Sequence, residues 1–400
     1  MFQVQNIRGL YLSNIDPKQS VGYMDKIHGQ IKGFTQLGFE VDLICFDDQG
    51  KIILSQYSNQ TVELYFKVTV LGISGKNLFI RRLHLLNKAF QYIKEQKIDF
   101  LYLRYPRSEP LYLYFLLRLK KHYPNLLILS EIPTFPYDSE YNNSVSIKDR
   151  FVLLLDKITR QYLYKFIDRI ISINYDKSIF GIPTISIDNG INVSNYKAIS
   201  AQYSSNFINL IGVANVSSRH GYDRILYGMQ QYYYHTKSNH NYMVKFHIVG
   251  GTDPYIQKLY SITQELKLEN YVIFHNPCQG QILDKLFDDS HIAIGILGAH
   301  RNGLDIMTPL KNREYCARGI PFIFSHNDPD FSNNSKYCLH LSSDDTPVDI
   351  NRIIDFYRYI SQNNTIPEEM RLYANDKLSW SVKLEPVKVY LQQKMRDNKQ

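Results

Sequence analysis

Short apolar runs and amphipathic segments alternate along almost the whole chain. An apolar run at 7–15 is followed by 22–37, where apolar residues recur at the spacing of one helix face. Gly38 ends this segment, and a second apolar run occupies 39–46. This order is typical of a strand–helix–strand unit with parallel strands.

The same pattern predicts a series of elements in each half of the chain. In the first half we predict strands at 7–15, 39–46, 51–57, 61–68, 99–105, 126–132, 169–173 and 184–187, and helices at 22–37, 77–96, 108–122 and 148–166. In the second half we predict strands at 208–214, 244–249, 271–275, 292–297 and 321–325, and helices at 222–234, 255–266, 281–288 and 309–318. The fold class is therefore α/β, with two doubly wound, Rossmann-like domains.

The domain boundary is predicted near Asn189-Gly190, before the polar stretch 194–205. We expect an N-terminal domain at 1–192, a C-terminal domain at 193–378, and an amphipathic helix at 379–400 that packs back on the first domain. Domains of this kind place their sites at the carboxyl ends of parallel strands, so the two sites are expected to face each other across a cleft.

Composition narrows the class of protein. The sequence has no run of 18 apolar residues and no secretory signal pattern at its start. Its four cysteines lack metal-ligand spacing, which favours reduced core cysteines in a cytoplasmic protein. No histidine pair has helical zinc-ligand spacing with a third ligand nearby. A soluble, cytoplasmic globular protein is expected.

The net charge of +8 includes two basic clusters in the first half, at 76–97 and 104–121. Such clusters attract a phosphorylated substrate or an anionic membrane surface, and ordinary solvated helix faces are an equal alternative. No repeat of basic and aromatic residues typical of a nucleic-acid module is present. We expect contact with the inner face of the cell membrane and no nucleic-acid partner.

The stretch 308–321 is the most informative part of the chain. Thr308 is predicted to cap a helix that begins at Pro309 and ends at Gly319. A helix start after a parallel strand favours an anion such as phosphate, and Lys311 adds a positive charge in the first turn. Glu314 lies about one turn further on, where its carboxylate can accept hydrogen bonds from a diol such as ribose.

Several blocks of the sequence resemble a known family. They are Gly38-Phe-Glu-Val-Asp-Leu-Ile44, Asp188-Asn-Gly-Ile191, His247-Ile-Val-Gly-Gly251, Val272-Ile-Phe-His275 and Glu314-Tyr-Cys-Ala-Arg-Gly-Ile-Pro321. In this order they resemble the motifs of GT-B-fold glycosyltransferases, of the retaining kind with a Glu–x7–Glu motif. The resemblance implies a nucleotide-diphosphate sugar as donor, most often a UDP-sugar.

The resemblance also assigns roles in the second half. Glu314 falls on the motif's second glutamate, which binds the ribose hydroxyls; the alternative is a surface glutamate paired with an arginine. The first glutamate would be residue 306, an isoleucine, and the adjacent Asp305 is its candidate replacement. Lys311 would act on the diphosphate as a point charge.

The segment 212–224 corresponds to the family motif whose Arg and Lys neutralise the leaving diphosphate. Asn215 and His220 stand at those two positions here. Arg219, Arg224 and Lys311 are the candidates to replace the lost charge, since negative charge builds on the leaving group. For Arg224 taken alone, an exposed charge that caps the helix beginning at Tyr222 is an equal alternative.

In the first half, Glu131 ends a strongly apolar strand, near where the family places a polar residue by the reacting carbon. It is predicted to take a proton from the acceptor or to orient the donor sugar; capping of the next loop is the alternative. Asp138 and Glu140 are next in line. Gly22 begins the first helix, as the family's glycine loop does, and Asp25 and Lys26 are also expected to face the cleft.

These considerations together predict the residues of the site. Asp328-Pro-Asp330 is interpreted as turn chemistry, and neither a metal nor a cofactor is expected. Catalytic residues are predicted at Glu131, Lys311 and Arg224. Contacts to the nucleotide-sugar are predicted from Glu314, Gly22, Arg219, Gly250, Thr308, Leu310 and Asp305.

The expected activity is transfer of a sugar from a nucleotide-diphosphate sugar to a glycan or lipid-linked glycan, as in capsular or exopolysaccharide synthesis. Two alternatives stay open. One is a nucleotide-sugar epimerase on the same fold, which turns over its donor without an acceptor. The other is a binding subunit that has lost catalysis, which Asn215, His220 and Ile306 keep open.

Overall fold

The protein is described here by a computed structural model. Its backbone is described for 7–15, 21–58, 65–73, 77–133, 135–138, 147–173, 176–199, 206–235, 242–251, 254–331 and 335–397. The chain forms two compact units, Met1–Gly190 with Trp380–Gln400, and Ile191–Ser379. No helix in the described ranges is long and apolar enough to cross a membrane.

The first unit is built on a nine-stranded sheet with the strand order β4-β3-β2-β1-β5-β6-β7-β9-β8. The strands from β2 across to β9 run parallel, whereas β3, β4 and β8 pair antiparallel at the two edges. The strands are β1 Ile7–Leu12, β2 Phe39–Phe46, β3 Lys51–Ser58, β4 Tyr65–Ile73, β5 Phe100–Arg104, β6 Leu127–Ile132, β7 Arg169–Ser172, β8 Ser178–Ile179 and β9 Ile182–Ser186.

The helices of this unit are α1 Val21–Gln36, α2 Leu78–Glu95, α3 Pro110–His122, α4 Ile147–Arg160 and α11 Trp380–Asp397. Helices α2, α3 and α4 contribute to one hydrophobic cluster with the sheet. Helix α11 packs on α1, where Gly29 and Gly33 make room for Trp380. A Cβ atom on Gly29 would lie 2.5 Å from the Trp380 ring. The small residues of α1 therefore position the last helix of the chain.

The second unit has a six-stranded, fully parallel sheet with the order β12-β11-β10-β13-β14-β15. Its strands are β10 Phe207–Val213, β11 Met243–Val249, β12 Val272–His275, β13 Ile292–Ile294, β14 Phe322–Phe324 and β15 Cys338–His340. Its helices are α5 Tyr222–Gln230, α6 Pro254–Glu265, α7 Gln281–Asp288, α8 Leu310–Arg318, α9 Ile350–Ser361 and α10 Ile366–Tyr373. The strand order reverses between β10 and β13, which is where open parallel sheets bind ligands.

The predicted α/β class with two parallel-rich sheets is confirmed, and several details differ. Helix α4 ends at Arg160 and is followed by a separate 3-10 turn at Leu163–Lys165, where one continuous helix was predicted. Elements β8, β15, α9 and α10 were not predicted. The cap assigned to Thr308 is also wrong: α8 begins at Leu310, because Pro309 has an extended ψ of 137° and occupies the cap position itself.

Candidate functional site

The segments that leave the carboxyl ends of β10 and β13 lie directly against each other. The Leu297 N–H donates to the His220 carbonyl at 3.1 Å, and the Gly298 N–H donates to the Arg219 carbonyl at 3.0 Å. Gly221 has a left-handed φ of 64°, and a Cβ atom there would lie 2.7 Å from the carbonyl carbon of Leu297. This approach fixes the 3-10 turn Ser218–His220 at the switch point of the sheet.

Arg301 holds the same turn from the other side. Its guanidinium donates to the Ser218 carbonyl at 2.9 Å and to both carboxylate oxygens of Asp223 at 2.9 Å. It also donates to Asp345 at 2.7 Å. A planar guanidinium paired in this bidentate way is held in one orientation, so Arg301 stiffens the turn that carries Arg219.

His220, which the resemblance predicted in place of a lysine, cannot carry a positive charge in this environment. Its imidazole is buried and accepts a hydrogen bond from the Ser217 N–H at Nδ1, at 3.0 Å. Burial, together with the charges of Lys311 and Arg219, lowers the pKa of His220 to about 2. The imidazole is therefore neutral, and any cation at this site must come from other residues.

Lys311 supplies such a cation from the first turn of α8. Its Nζ atom is inaccessible to solvent and has no hydrogen-bond partner in the part of the chain that the structure describes. The atom lies 6.0 Å from the centre of the Tyr222 ring. Burial and the positive charge of Arg219 lower the pKa of Lys311 to about 7, although Glu314 opposes this. A buried ammonium without a carboxylate at hydrogen-bond distance is stabilised by any anion that reaches it.

Glu314 lies one turn further along α8, with its side chain partly exposed. Its Oε1 accepts from Arg318 Nε at 2.9 Å, and Arg318 also donates to Asp284 at 2.6 Å. Burial raises the pKa of Glu314, while Arg318 and Lys311 act to lower it. The pairing with Arg318 was the alternative considered from the sequence. This pairing uses only Oε1, so it leaves the second carboxylate oxygen unoccupied among the described residues.

Gly250 and Gly251 form the turn after β11. Both have left-handed conformations, with φ of 95° and 89°. A Cβ atom on Gly250 would lie 2.4 Å from the carbonyl oxygen of Ala214, which is the residue that follows β10. Only glycine therefore allows these two backbone segments to approach so closely at the switch point.

The other second-unit residues predicted to contact the nucleotide-sugar are placed around α8. Thr308 is buried directly before the helix, and Leu310 is its first residue and half-buried. Asp305 is exposed, and its carbonyl accepts from the Asn327 N–H at 2.8 Å. Ile306, at the position of the missing glutamate, is 51% exposed. The carboxylate of Asp305 therefore remains accessible to a polar ligand.

Arg224 is buried in a network of hydrogen bonds to backbone carbonyls. Its buried guanidinium donates to the carbonyl of Thr346 at 2.8 Å and to that of Leu297 at 2.6 Å, and it lies 3.4 Å from Asp344. These contacts join α5, the segment after β13 and the loop before α9. With these contacts Arg224 supports this end of the sheet, and its contact to a diphosphate stays a prediction.

Asp328 and Asp330 are both paired with Arg313. The Arg313 guanidinium donates to both carboxylate oxygens of Asp328, with one of these distances 2.8 Å, and also to Asp330. Asn312 donates to Asp328 at 2.9 Å. The pair therefore anchors α8 to the segment after β14. In the part of the chain that the structure describes, no group of three or more His, Cys, Asp or Glu residues could hold a metal ion.

In the first unit, Glu131 lies at the carboxyl end of β6 and is fully buried. Its Oε1 contacts Lys26 Nζ at 2.8 Å and Arg104 at 2.6 Å. Its Oε2 accepts from Gln30 at 2.8 Å and from Tyr102 at 2.9 Å. The two cations outweigh the cost of burial and lower the pKa of Glu131 to about 2. Such a carboxylate is a weak base, so the geometry favours an orienting role over proton transfer.

The remaining first-unit candidates are more dispersed. Gly22 lies in the first turn of α1. Asp25 is exposed, whereas Lys26 is buried against Glu131 and its Nζ lies 5.5 Å from the centre of the Trp380 ring. Asp138 is paired with Arg160, and Glu140 lies outside the described residues.

The structure thus brings Lys311, Arg219 and Glu314 together beside the 3-10 turn, while Arg224 and Glu131 belong to separate buried networks. Two residues of the site, Arg301 and Arg104, were not predicted from the sequence. Each matters because of the carboxylate with which it pairs. Arg301 acts on Asp223, 78 residues earlier, and Arg104 acts on Glu131, 27 residues later. Neither separation follows a local period that a sequence pattern could reveal.

No protein-family model and no curated protein matches the sequence. The fold, however, is the GT-B fold of a large group of glycosyltransferases. The chain is similar to sucrose-phosphate synthase from Thermosynechococcus elongatus, with 14% identity, a TM-score of 0.61, and coverage of 97% of this chain and 99% of the other. It is also similar to a glycosyltransferase from Rickettsia africae, with 13% identity, a TM-score of 0.60, and coverage of 98% and 99%.

A third similar structure is that of Anabaena HepE in complex with UDP and glucose. It is 13% identical, has a TM-score of 0.58, and the match covers 97% of this chain and 100% of the other. At these identities the likeness concerns the fold over nearly the whole chain. The activity has to be argued from the site itself.

Proposed function

We propose that the protein is a retaining glycosyltransferase that moves a sugar from a nucleotide-diphosphate sugar, a UDP-sugar in the first instance, to a glycan or lipid-linked glycan. The observation that carries this proposal is the solvent-inaccessible Lys311 Nζ, which has no hydrogen-bond partner among the described residues. It lies in the first turn of α8, the helix that connects β13, one of the two strands at the switch point of the parallel sheet, to β14. The positive end of the helix dipole and the ammonium then favour the same anion.

The donor diphosphate is the anion that fits this arrangement. Lys311 would bind it as a buried point charge, and the exposed Arg219 would add a second cation from the 3-10 turn. Negative charge accumulates on the diphosphate as the bond to the sugar breaks, so these cations stabilise the transition state more than the intact donor. The charge that the family motif places in the β10 segment would thus come largely from α8.

Glu314 would bind the ribose of the same nucleotide. It is about one helical turn from Lys311, and its Oε1 is held by Arg318 at 2.9 Å. A carboxylate fixed in this way can offer its other oxygen to a ribose hydroxyl. Asp305, exposed before α8, is the proposed contact to the donor sugar in place of the missing motif glutamate.

Glu131 is proposed as a positioning residue of the first unit. It holds Lys26 and Arg104 at the carboxyl ends of β5 and β6, where parallel sheets present their ligand-binding groups. Together, the two cations and the single carboxylate carry a net positive charge. Glu131 would then orient groups that meet the donor or acceptor, without itself exchanging a proton.

A panel of nucleotide-sugars tests the proposal directly. Each donor is incubated with and without oligosaccharide and lipid-linked acceptors, and both nucleotide release and the identity of the recovered sugar are measured. Acceptor-dependent release of nucleotide, with the anomeric configuration of the donor kept in the product, is the expected result. Epimerised donor would instead identify an epimerase, and donor binding without turnover would identify a binding subunit. The Lys311→Met variant should be inactive in the assay that shows turnover.

A further inference from the structure

Helix α4 exposes a line of large apolar side chains. Phe151, Leu154 and Ile158 are 58%, 53% and 49% exposed, and their spacing of three and four residues places them on one face of the helix. The opposite face contributes Leu153 to the core of the first unit. A helix that is apolar on both its inner and outer faces has an outer face suited to a second apolar environment.

The segment after α4 extends this surface with aromatic residues and a cation. Tyr162 and Tyr164 are exposed, and Lys165 Nζ lies 5.5 Å and 5.9 Å from the centres of their rings. Tyrosine rings combined with a lysine are typical of the boundary between lipid headgroups and acyl chains, where the ring is half solvated and the ammonium reaches the phosphates.

The charge of the surrounding layer has one dominant sign. Helices α2, α3 and α4, which share one hydrophobic cluster, contain 11 basic and 3 acidic residues. One of the acidic residues, Asp156, is fully buried and bound by Tyr105 and Tyr137, so it offers no charge at the surface. Four of the basic residues are paired with carboxylates outside these helices: Arg82 with Glu109, Lys120 with Asp168, and Lys157 and Arg160 with Asp138. The remaining basic residues still outnumber the acidic ones, so the exposed apolar groups belong to a positively charged layer that is complementary to an anionic lipid surface.

We infer that the outer face of α4, together with the segment Tyr162–Lys165, docks on a bilayer that contains anionic phospholipids. Phe151, Leu154 and Ile158 would enter the headgroup–acyl boundary, and Lys121 and Lys165 would contact lipid phosphates. The link to catalysis rests on the proposed function, since a lipid-linked acceptor would be presented at this surface. A nucleic acid fits less well, because its phosphates give no reason for three exposed aliphatic or aromatic side chains in line.

Vesicle co-sedimentation of the full chain tests this inference. Vesicles of phosphatidylcholine are compared with vesicles containing 30% phosphatidylglycerol, at low and high salt. We expect binding to the anionic vesicles, weakened severalfold by salt because the attraction is screened. The triple variant Phe151→Ser, Leu154→Ser, Ile158→Ser should reduce the partition coefficient at least tenfold. The matched control, Ile282→Ser, Tyr359→Ser, Leu372→Ser, changes equally exposed residues of the second unit and should bind like the wild type.

Several results would overturn the inference. One is equal binding of the wild type to neutral and anionic vesicles, and another is an equal loss of binding in the triple variant and the control variant. A third is the absence of vesicle binding together with a dimer that the triple variant dissociates, because this face would then be a self-association surface. Circular dichroism and thermal unfolding establish that the variants fold. If the triple variant does not fold, Lys165→Gln with Lys121→Gln is expected to weaken binding severalfold, and unchanged binding refutes the inference. UDP-glucose affinity, measured on the same proteins, is expected to stay unchanged and reports separately on the proposed function.

Discussion

Replacement of Lys311 by methionine is the most direct test of the nucleotide site. The change removes the charge and keeps most of the side-chain volume, so the packing against Tyr222 is largely preserved. The pKa of Lys311 is lowered from 10.5 to about 7 in the free protein, mainly by burial. Binding of a diphosphate should raise it again, because an adjacent negative charge favours the ammonium form.

The expected loss of affinity can be derived from this pKa. One pKa unit corresponds to about 1.36 kcal/mol. Suppose that diphosphate binding raises the pKa of Lys311 by half of the interval between about 7 and 10.5. The interaction between the ammonium and the diphosphate then contributes about 2.4 kcal/mol to the binding free energy, or roughly sixtyfold in affinity. A charge-assisted hydrogen bond is independently worth about 1.5–3 kcal/mol. We therefore expect Lys311→Met to weaken UDP-glucose binding between tenfold and a hundredfold, and uridine binding hardly at all.

Isothermal titration calorimetry in buffers of different ionisation enthalpy measures the accompanying proton. At pH 8 a group with a pKa near 7 is mostly deprotonated, so binding of UDP-glucose should take up about 0.8 proton, against about 0.1 at pH 6. The affinity of the wild type should then fall as the pH rises from 7 to 9, while that of Lys311→Met stays flat. Lys258→Met, an exposed lysine of α6, is the control. Unchanged affinity in Lys311→Met, or no proton uptake at pH 8, would refute the assignment.

Three further predictions concern Glu314, Glu131 and Gly250. Glu314→Gln should weaken UDP binding by roughly ten- to a hundredfold. The loss should be absent for 2′,3′-dideoxy-UDP, and equal losses for both ligands would exclude the ribose contact. Glu131→Gln should abolish transfer, spare UDP affinity, and lower the free energy of unfolding by about 3–5 kcal/mol, since it leaves buried cations uncompensated. Because the pKa of Glu131 is lowered to about 2, its stabilisation should be present above its unfolded pKa of roughly 4.3 and be lost as the pH falls toward 2, as acid unfolding curves of wild type and variant would show. Gly250→Ala should destabilise by about 1–3 kcal/mol in thermal unfolding, because φ is 95° and the added methyl meets a carbonyl; an unchanged melting temperature would contradict this.

The local features of α8 could be predicted from the sequence because they depend on neighbouring residues. Gly319 adopts the left-handed conformation expected of a helix end, with φ of 79°, and a strand follows as predicted. The position of Lys311 in the first turn follows from the same pattern. The start of the helix was misjudged by one residue because Pro309 suits both the first helical position and an extended cap, and sequence does not separate the two.

The role of Arg224 could not be predicted in this way. Its helix was correctly placed, yet its hydrogen-bond partners lie 73 and 122 residues further along the chain. Its charge and its position in the motif predicted a contact to phosphate. In the structure, the Arg224 guanidinium connects the segment after β13 with the loop before α9. Glu131 is a similar case: its place at a strand end was evident, but the four donors around it come from α1 and β5.

The two buried lysines show most clearly why partners decide function. Lys26 and Lys311 both have a pKa lowered by burial, to about 8 and about 7. Lys26 Nζ lies 2.8 Å from the carboxylate of Glu131, which stabilises its charge within the fold. Lys311 has no carboxylate at hydrogen-bond distance among the described residues, so its charge is left to be stabilised from outside the chain. The sequence does not distinguish these two lysines, because the carboxylate that neutralises Lys26 is about a hundred positions away along the chain. Glu131 reaches its position only when β6 pairs with β5. The fold therefore supplies the counter-charge of Lys26, and we propose that the counter-charge of Lys311 comes from a ligand.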